Sequence, residues 1–270
     1  MKSIFLHIRA DHALDARLAA AIELARVHGG HLTCVQATPF DSFIVTDPFG
    51  GVYAQPSVLQ ALQERNDAER ARVEQHLSTT GISFDWVDSD GDPAQVMVDR
   101  GRLADVLVLS RQEKQGRDGL APLPIASDVA LHARAPVLVV PPGPGTFRAD
   151  GPAVVAWNGS VEAAHALRQS LPFLRRSRAV HILTVSGEDG DFPASQAALY
   201  LSRHGVDATV DAREPEGRSI ARTLLDSAVA LDAACLVMGA YGHSRLRETV
   251  LGGVTRDLLS EASLPLMLAH

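Results

Sequence analysis

With 270 residues, 46% of them hydrophobic, the chain can bury the core of one large domain or two of ordinary size. A net charge of −7 and a pI near 5.9 exclude nucleic acid as the main partner, since phosphate backbones are held by an excess of Lys and Arg. No apolar stretch approaches the roughly 20 residues of a membrane span, and residues 1–9 are too short a run for a signal peptide; a soluble cytoplasmic protein without membrane contact is expected.

In chain order, strands are expected at 3–8, 32–37, 83–87, 106–110 and 137–140, with helices at 13–27, 58–78, 94–103 and 126–133 between them. Pro141, Pro142, Gly143, Pro144 and Gly145 then interrupt the pattern. It resumes with strands at 153–157, 180–185, 208–212, 235–239 and 265–268, separated by helices at 161–174, 194–203, 219–230 and 254–261. Continuous apolar strands alternating with amphipathic helices indicate parallel sheets covered on both faces. The expected fold class is α/β, with two tandem doubly wound five-stranded sheets in three α/β/α layers. The expected domains are 1–141 and 152–270, with 142–151 as linker.

The second half repeats the first. The run from Ala104 to Ser110 aligns with Ala233 to Gly239, and Ala135 to Val139 with Leu264 to Leu268, both at an offset of 129 (239 against 110, 265 against 136). Near the starts the offset is 149 (180 against 31), so the first half carries about twenty extra residues after its second strand, more than usual loops hold. This insertion, 39–56 within a boundary of about 38–57, contains Phe40, Phe43, Phe49 and Tyr53. Solvated linkers are poor in aromatics, so the segment is expected to fold onto apolar surface: the cleft of its own half, or an interface. Cys34 and Cys235 each lie in an apolar strand and read as small hydrophobes rather than a disulfide or metal pair. The histidines show no metal-binding spacing.

The stretch 237–255 carries the chemistry. An apolar strand ends at Gly239 and Gly242, and nine residues later Gly252 and Gly253 open an amphipathic helix. A strand, a glycine loop and a helix N-terminus present unpaired N–H groups and a positive dipole end, which suit a phosphate. The spacing G-x-x-G, nine residues, G-x-V-T resembles the nucleotide-binding signature of the universal stress protein family, matched here at Gly239, Gly242, Gly252, Val254 and Thr255. Gly253 stands where binding members usually carry Ser or Thr, so a backbone N–H remains and a hydroxyl is lost. The resemblance covers both halves. It implies an adenine nucleotide α hydrolase-like, Rossmann-like fold that binds ATP, with AMP or ADP as alternatives and Mg²⁺ as companion ion.

The resemblance also places the ligand at the carboxyl ends of the first and fourth strands of the half, side by side where strand order reverses. It implies contacts from Ala156, Trp157, Asn158, Val185 and Met238. Asn158 replaces the family's usual Asp, keeping an acceptor and losing the charge; it also reads as a turn or N-cap residue, a role for which Ser160 competes. Val185 reads equally as core. His243, Ser244 and Arg245 could reach phosphates or simply be solvated. In the first half, Gly239, Gly242, Gly252 and Gly253 become Ser110, Glu113, Leu123 and Pro124, and Asn158 becomes Arg9. That half is expected to bind no nucleotide and to act as the packing partner of the second, an intrachain pseudo-dimer; a homodimer of such chains is the wider alternative. The expected function is a stress-response regulator governed by one nucleotide per chain, with no catalytic residue and no metal ligand assigned. The rivals are a nucleotide-free adaptor acting by protein contacts, and a weak ATPase or nucleotide-activating enzyme of the same fold. No G-x-x-x-x-G-K-(S/T) run supports a P-loop enzyme.

Overall fold

The computed structural model describes residues 1–39, 44–46, 52–54, 56–111, 125–143, 147–185, 192–242 and 253–270. The first half runs β1 (Ser3–Ile8), α1 (Leu14–His28), β2 (His31–Thr38), β3 (Ile44–Thr46), β4 (Val52–Ala54), α2 (Pro56–Ser78), β5 (Phe84–Asp90), α3 (Pro93–Arg100), β6 (Val106–Ser110), α4 (Ile125–His132) and β7 (Val137–Val140). The second half runs β8 (Ala153–Ala156), α5 (Val161–Gln169), α6 (Leu171–Leu174), β9 (Val180–Val185), α7 (Ala194–Arg203), β10 (Ala208–Arg213), α8 (Ile220–Ala230), β11 (Cys235–Gly239), α9 (Gly253–Glu261) and β12 (Leu266–Ala269).

Each half contributes five parallel strands, and the two sets join in one ten-stranded sheet, β10-β9-β8-β11-β12-β7-β6-β1-β2-β5. The join is the antiparallel pair β12 with β7, in which Leu266, Met267 and Leu268 face Val139, Leu138 and Val137. The two five-stranded sheets expected from the sequence are both present, and they run on into each other. Both joining strands are wholly buried, and pairing satisfies the N–H and C=O groups that each would otherwise leave at an edge. The true edges, β5 and β10, carry charges instead, and β5 continues past the expected end at 87 through Asp88, Ser89 and Asp90, paired with β2.

Two apolar clusters sandwich the sheet, and each draws on both halves. One holds Leu14 and Leu18 of α1, Val73 and Leu77 of α2, and Ala166 of α5; the other holds Met97 of α3, Val129 of α4, Leu224 of α8 and Leu258 of α9. The halves are further tied by Arg111, which donates to the carbonyls of Ser260 (2.8 Å) and Ala262 (3.2 Å) at the end of α9.

Local chemistry sets the helix ends. Asp92 caps α3, accepting from Ala94 and Gln95, with Pro93 in the first turn, where its missing N–H costs nothing. Gly29 ends α1 in the left-handed region at φ 56°. The helix expected over 161–174 is broken at Ser170, because Pro172 cannot donate to the preceding turn and a new short helix starts around it. Within the insertion, β3 and β4 pair as an antiparallel hairpin that the residue pattern did not suggest. The side chains of Phe40, Phe43, Phe49 and Tyr53 lie outside the described residues. Among the described residues no helix is long and apolar enough to cross a membrane, and no group of three or more His, Cys, Asp or Glu is placed to hold a metal. Both cysteines are buried; burial pushes the Cys34 thiol up to about 12 and raises that of Cys235 as well.

Candidate nucleotide-binding crevice

Parallel pairing of β8 with β11 brings Ala153, Val154 and Val155 beside Cys235, Leu236 and Val237, so the segments following Ala156 and Gly239 leave the sheet side by side. Chain order reverses at this point, since β9 and β10 lie on one side and β11 and β12 on the other. From β8 the chain enters a tight turn. Asn158 is exposed, and its Oδ1 accepts the Ser160 N–H at 3.1 Å; Gly159 sits at φ 73°, and Ser160 Oγ caps α5 by accepting the Ala163 N–H at 3.1 Å. The capping role therefore falls to Ser160, and the Asn158 oxygen is engaged in the turn. Trp157 is buried, donating Nε1–H to the Phe192 carbonyl at 3.0 Å with the Phe192 ring tilted against it.

The two described glycines of the loop after β11 have distinct surroundings. A Cβ on Gly239 would stand 2.6 Å from the Glu162 carbonyl carbon and 2.7 Å from the Ala163 nitrogen, so glycine here lets β11 press directly on the first turn of α5. A Cβ on Gly242 would stand 3.2 Å from Glu162 Oε2. Between them, Tyr241 holds the left-handed conformation at φ 57°, an uncommon state for a bulky residue. Its ring is buried, and burial raises the phenol above its ordinary pKa while a hydrogen bond with Ser127 of α4 opposes the shift. That bond crosses from the second half to the first. The Tyr241 N–H reaches Thr255 Oγ1 at 3.5 Å, linking the start of the loop to the first turn of α9. Gly253 is the first residue of α9, and an added Cβ would meet none of the described atoms within 4 Å.

Of the residues expected at the site, Ala156, Trp157, Asn158, Met238, Gly239, Gly242, Gly253, Val254 and Thr255 lie at the ends of β8 and β11 or the start of α9. Val185 ends the neighbouring β9 and is buried in the same apolar cluster as Met238, Tyr241 and the α8 residues Leu224 and Leu225. His243, Ser244, Arg245 and Gly252 lie outside the described residues. Tyr241 and Glu162 escaped the sequence reading. The aromatic between two glycines was a usable sign; a glutamate in a first helical turn reads only as a favourable dipole partner.

In the first half a buried arginine stands at the corresponding strand ends. Arg17 of α1, 1% exposed, donates through Nε to the His7 carbonyl (2.7 Å), through Nη1 to Ser110 Oγ (2.8 Å) and through Nη2 to the Arg9 carbonyl (3.1 Å), with Asp11 at 3.4 Å. Ser110 stands where the second half has Gly239. Burial depresses the Arg17 pKa, opposed chiefly by Asp11, and burial together with Arg17 holds the His7 imidazole down at about 3. A guanidinium thus occupies the head of the crevice, satisfying the backbone oxygens there. Glu113, Leu123 and Pro124 lie outside the described residues.

The model of the universal stress protein family matches residues 9–141 and again 151–270. The chain belongs to the universal stress protein family. Its fold is similar to that of a universal stress protein from Archaeoglobus fulgidus DSM 4304, at 16% identity and a TM-score of 0.75 over 98% of this chain and 95% of that one. A functionally unknown protein from Pseudomonas aeruginosa PAO1 superimposes at 13% identity and a TM-score of 0.64, over 100% and 92% of the two chains. A universal stress protein solved in complex with cAMP matches over 44% of this chain and 97% of its own, at 17% identity and a TM-score of 0.35. A comparison with curated proteins found no match. Nucleotide binding is common in the family.

Proposed function

We propose that this universal stress protein binds one adenine nucleotide, ATP or a close relative, in the crevice between β8 and β11, and serves as a nucleotide-dependent regulator of stress response in the cytoplasm. The observation that carries the reading is the contrast between equivalent crevices. In one, the Arg17 guanidinium meets Ser110 at the strand ends; in the other, Gly239 lets β11 lie against the first turn of α5, and a Cβ on Gly253 at the start of α9 would meet none of the described atoms within 4 Å. Helix N-termini at the carboxyl edge of a parallel sheet suit phosphate groups. In this reading the Asn158 amide offers two donors to base or ribose, Val185 and Met238 pack on the base, and Gly242, Gly252, Gly253, Val254 and Thr255 line the phosphate loop. His243 and Arg245 supply donors at the loop's far side, and Mg²⁺ accompanies the phosphates.

Residues 1–141 form the structural half, 142–151 the linker and 152–270 the binding half. A second reading, a nucleotide-free adaptor, draws on the engagement of the Asn158 oxygen within its own turn. Calorimetry with ATP and Mg²⁺, and chromatography of what the purified protein releases on denaturation, separate the two. One site per chain is expected; two equivalent sites, or none, overturn the proposal. Gly242→Glu, which copies the first half's residue and puts a long side chain where a Cβ alone would stand 3.2 Å from Glu162 Oε2, is expected to abolish binding; unchanged affinity would remove the loop from the phosphate site.

A further inference from the structure

Glu162 lies along both described glycines of the loop. It is the second residue of α5; its backbone carbon packs on Gly239, and its carboxylate lies against Gly242, with Oε2 3.2 Å from the position of a Cβ there. Oε2 is buried and has no hydrogen-bond partner among the described residues. Covered acceptors in folded proteins are nearly always satisfied, and one left unsatisfied beside Gly242 suits a partner that arrives with the ligand. Helix capping does not require this carboxylate, because Ser160 already fills that role. The position 149 residues earlier is Ala13, so the first half has no counterpart.

An anionic oxygen beside a phosphate loop repels a bare polyphosphate. Mg²⁺ reverses that effect: it is bound typically by one or two carboxylates together with substrate phosphates and retained waters. We infer that Glu162 makes the second-half site take its nucleotide as the divalent-metal complex, the carboxylate serving as the protein's oxygen ligand toward the ion. The inference rests on the nucleotide reading above and adds a selectivity: di- and triphosphates, which chelate Mg²⁺ firmly, are favoured over monophosphates.

The test is calorimetric titration of the full chain with ATP in excess Mg²⁺ and in EDTA, for the natural protein and for Glu162→Gln, with circular dichroism to establish folding. The natural protein is expected to bind at least tenfold more tightly with Mg²⁺. Glu162→Gln is expected to lose most of that ratio and to bind ATP in EDTA more tightly than the natural protein does. Should the glutamine variant not fold, Glu162→Ala, which copies Ala13 of the first half, takes its place with the same expected result. Equal affinity with and without Mg²⁺ in the natural protein, or a full Mg²⁺ dependence kept by the variant, overturns the inference and leaves the nucleotide reading standing. Absence of binding under every condition overturns both.

Discussion

A methyl group at position 239 would meet helix backbone at 2.6 Å, and backbone cannot rotate aside as a side chain can. Gly239→Ala is therefore expected to cost about 1–3 kcal/mol, seen as a lowered urea midpoint. Gly253 offers the opposite case: Gly253→Ser should leave stability within about 0.5 kcal/mol. Its hydroxyl should tighten ATP binding by about 1 kcal/mol, and weakened binding in calorimetry would show that the loop has adapted around glycine. Acid sensitivity is also set by single residues. Unfolded, the imidazoles of His7 and His28 take up protons near pH 6.5; folded, burial delays His7 to about 3 and His28 to about 4. Between those values the unfolded chain holds more protons. Stability should therefore be complete above about pH 6.5 and fall by up to about 1.4 kcal/mol per unit and per histidine below it, a slope that His7→Asn should reduce in urea titrations at pH 7 and pH 5. Arg17 shows what could have been read earlier. It falls with Leu14, Leu18, Ala21 and Ala25 on the buried helical face, and a lone cation there announces a buried hydrogen-bonding task.

At the scale of elements, the sequence placed Ser3–Ile8, Val106–Ser110, Val137–Val140, Val180–Val185 and Cys235–Gly239 at their observed bounds, because strands buried on both faces must be continuously apolar. The β12 to β7 pairing was not legible, since each strand's pattern records that it is buried and not which edge covers it. The insertion was legible only as an excess of residues. Its visible consequence is α2, 23 residues long against 10 for its counterpart α7. The added turns carry α2 over the carboxyl edge of the first half, where Arg65 donates to the Ala10 carbonyl and Asn66 Nδ2 to Thr38 Oγ1 at 2.8 Å. Deleting 41–53 and closing the gap with a short Gly-Ser linker is expected to lower the melting temperature without changing the oligomeric state. A folded monomer replacing a dimer in sedimentation would assign the segment to an interface.

For the molecule as a whole, the shared sheet and two shared apolar clusters argue that neither half keeps its structure when the other is lost. The two tryptophans allow a direct check, because Trp86 lies in the first half and Trp157 in the second. In urea titrations of Trp157→Phe and Trp86→Phe, each reporting one half by fluorescence, the two unfolding curves should have the same steepness; after correction for each variant's stability, separated transitions would show independent halves. The β12 to β7 seam has one more consequence. Two identical chains joined at such a seam must write every change twice, so they carry two sites or none. Inside a single chain the seam lets Arg17 and Ser110 meet at the head of one crevice while Ala166 and Gly239 stand at the equivalent positions of the other. Sigmoidal binding needs at least two coupled sites. Under the proposed reading each chain has one, so the occupancy of a lone chain should rise with nucleotide concentration as a plain hyperbola, graded rather than switched.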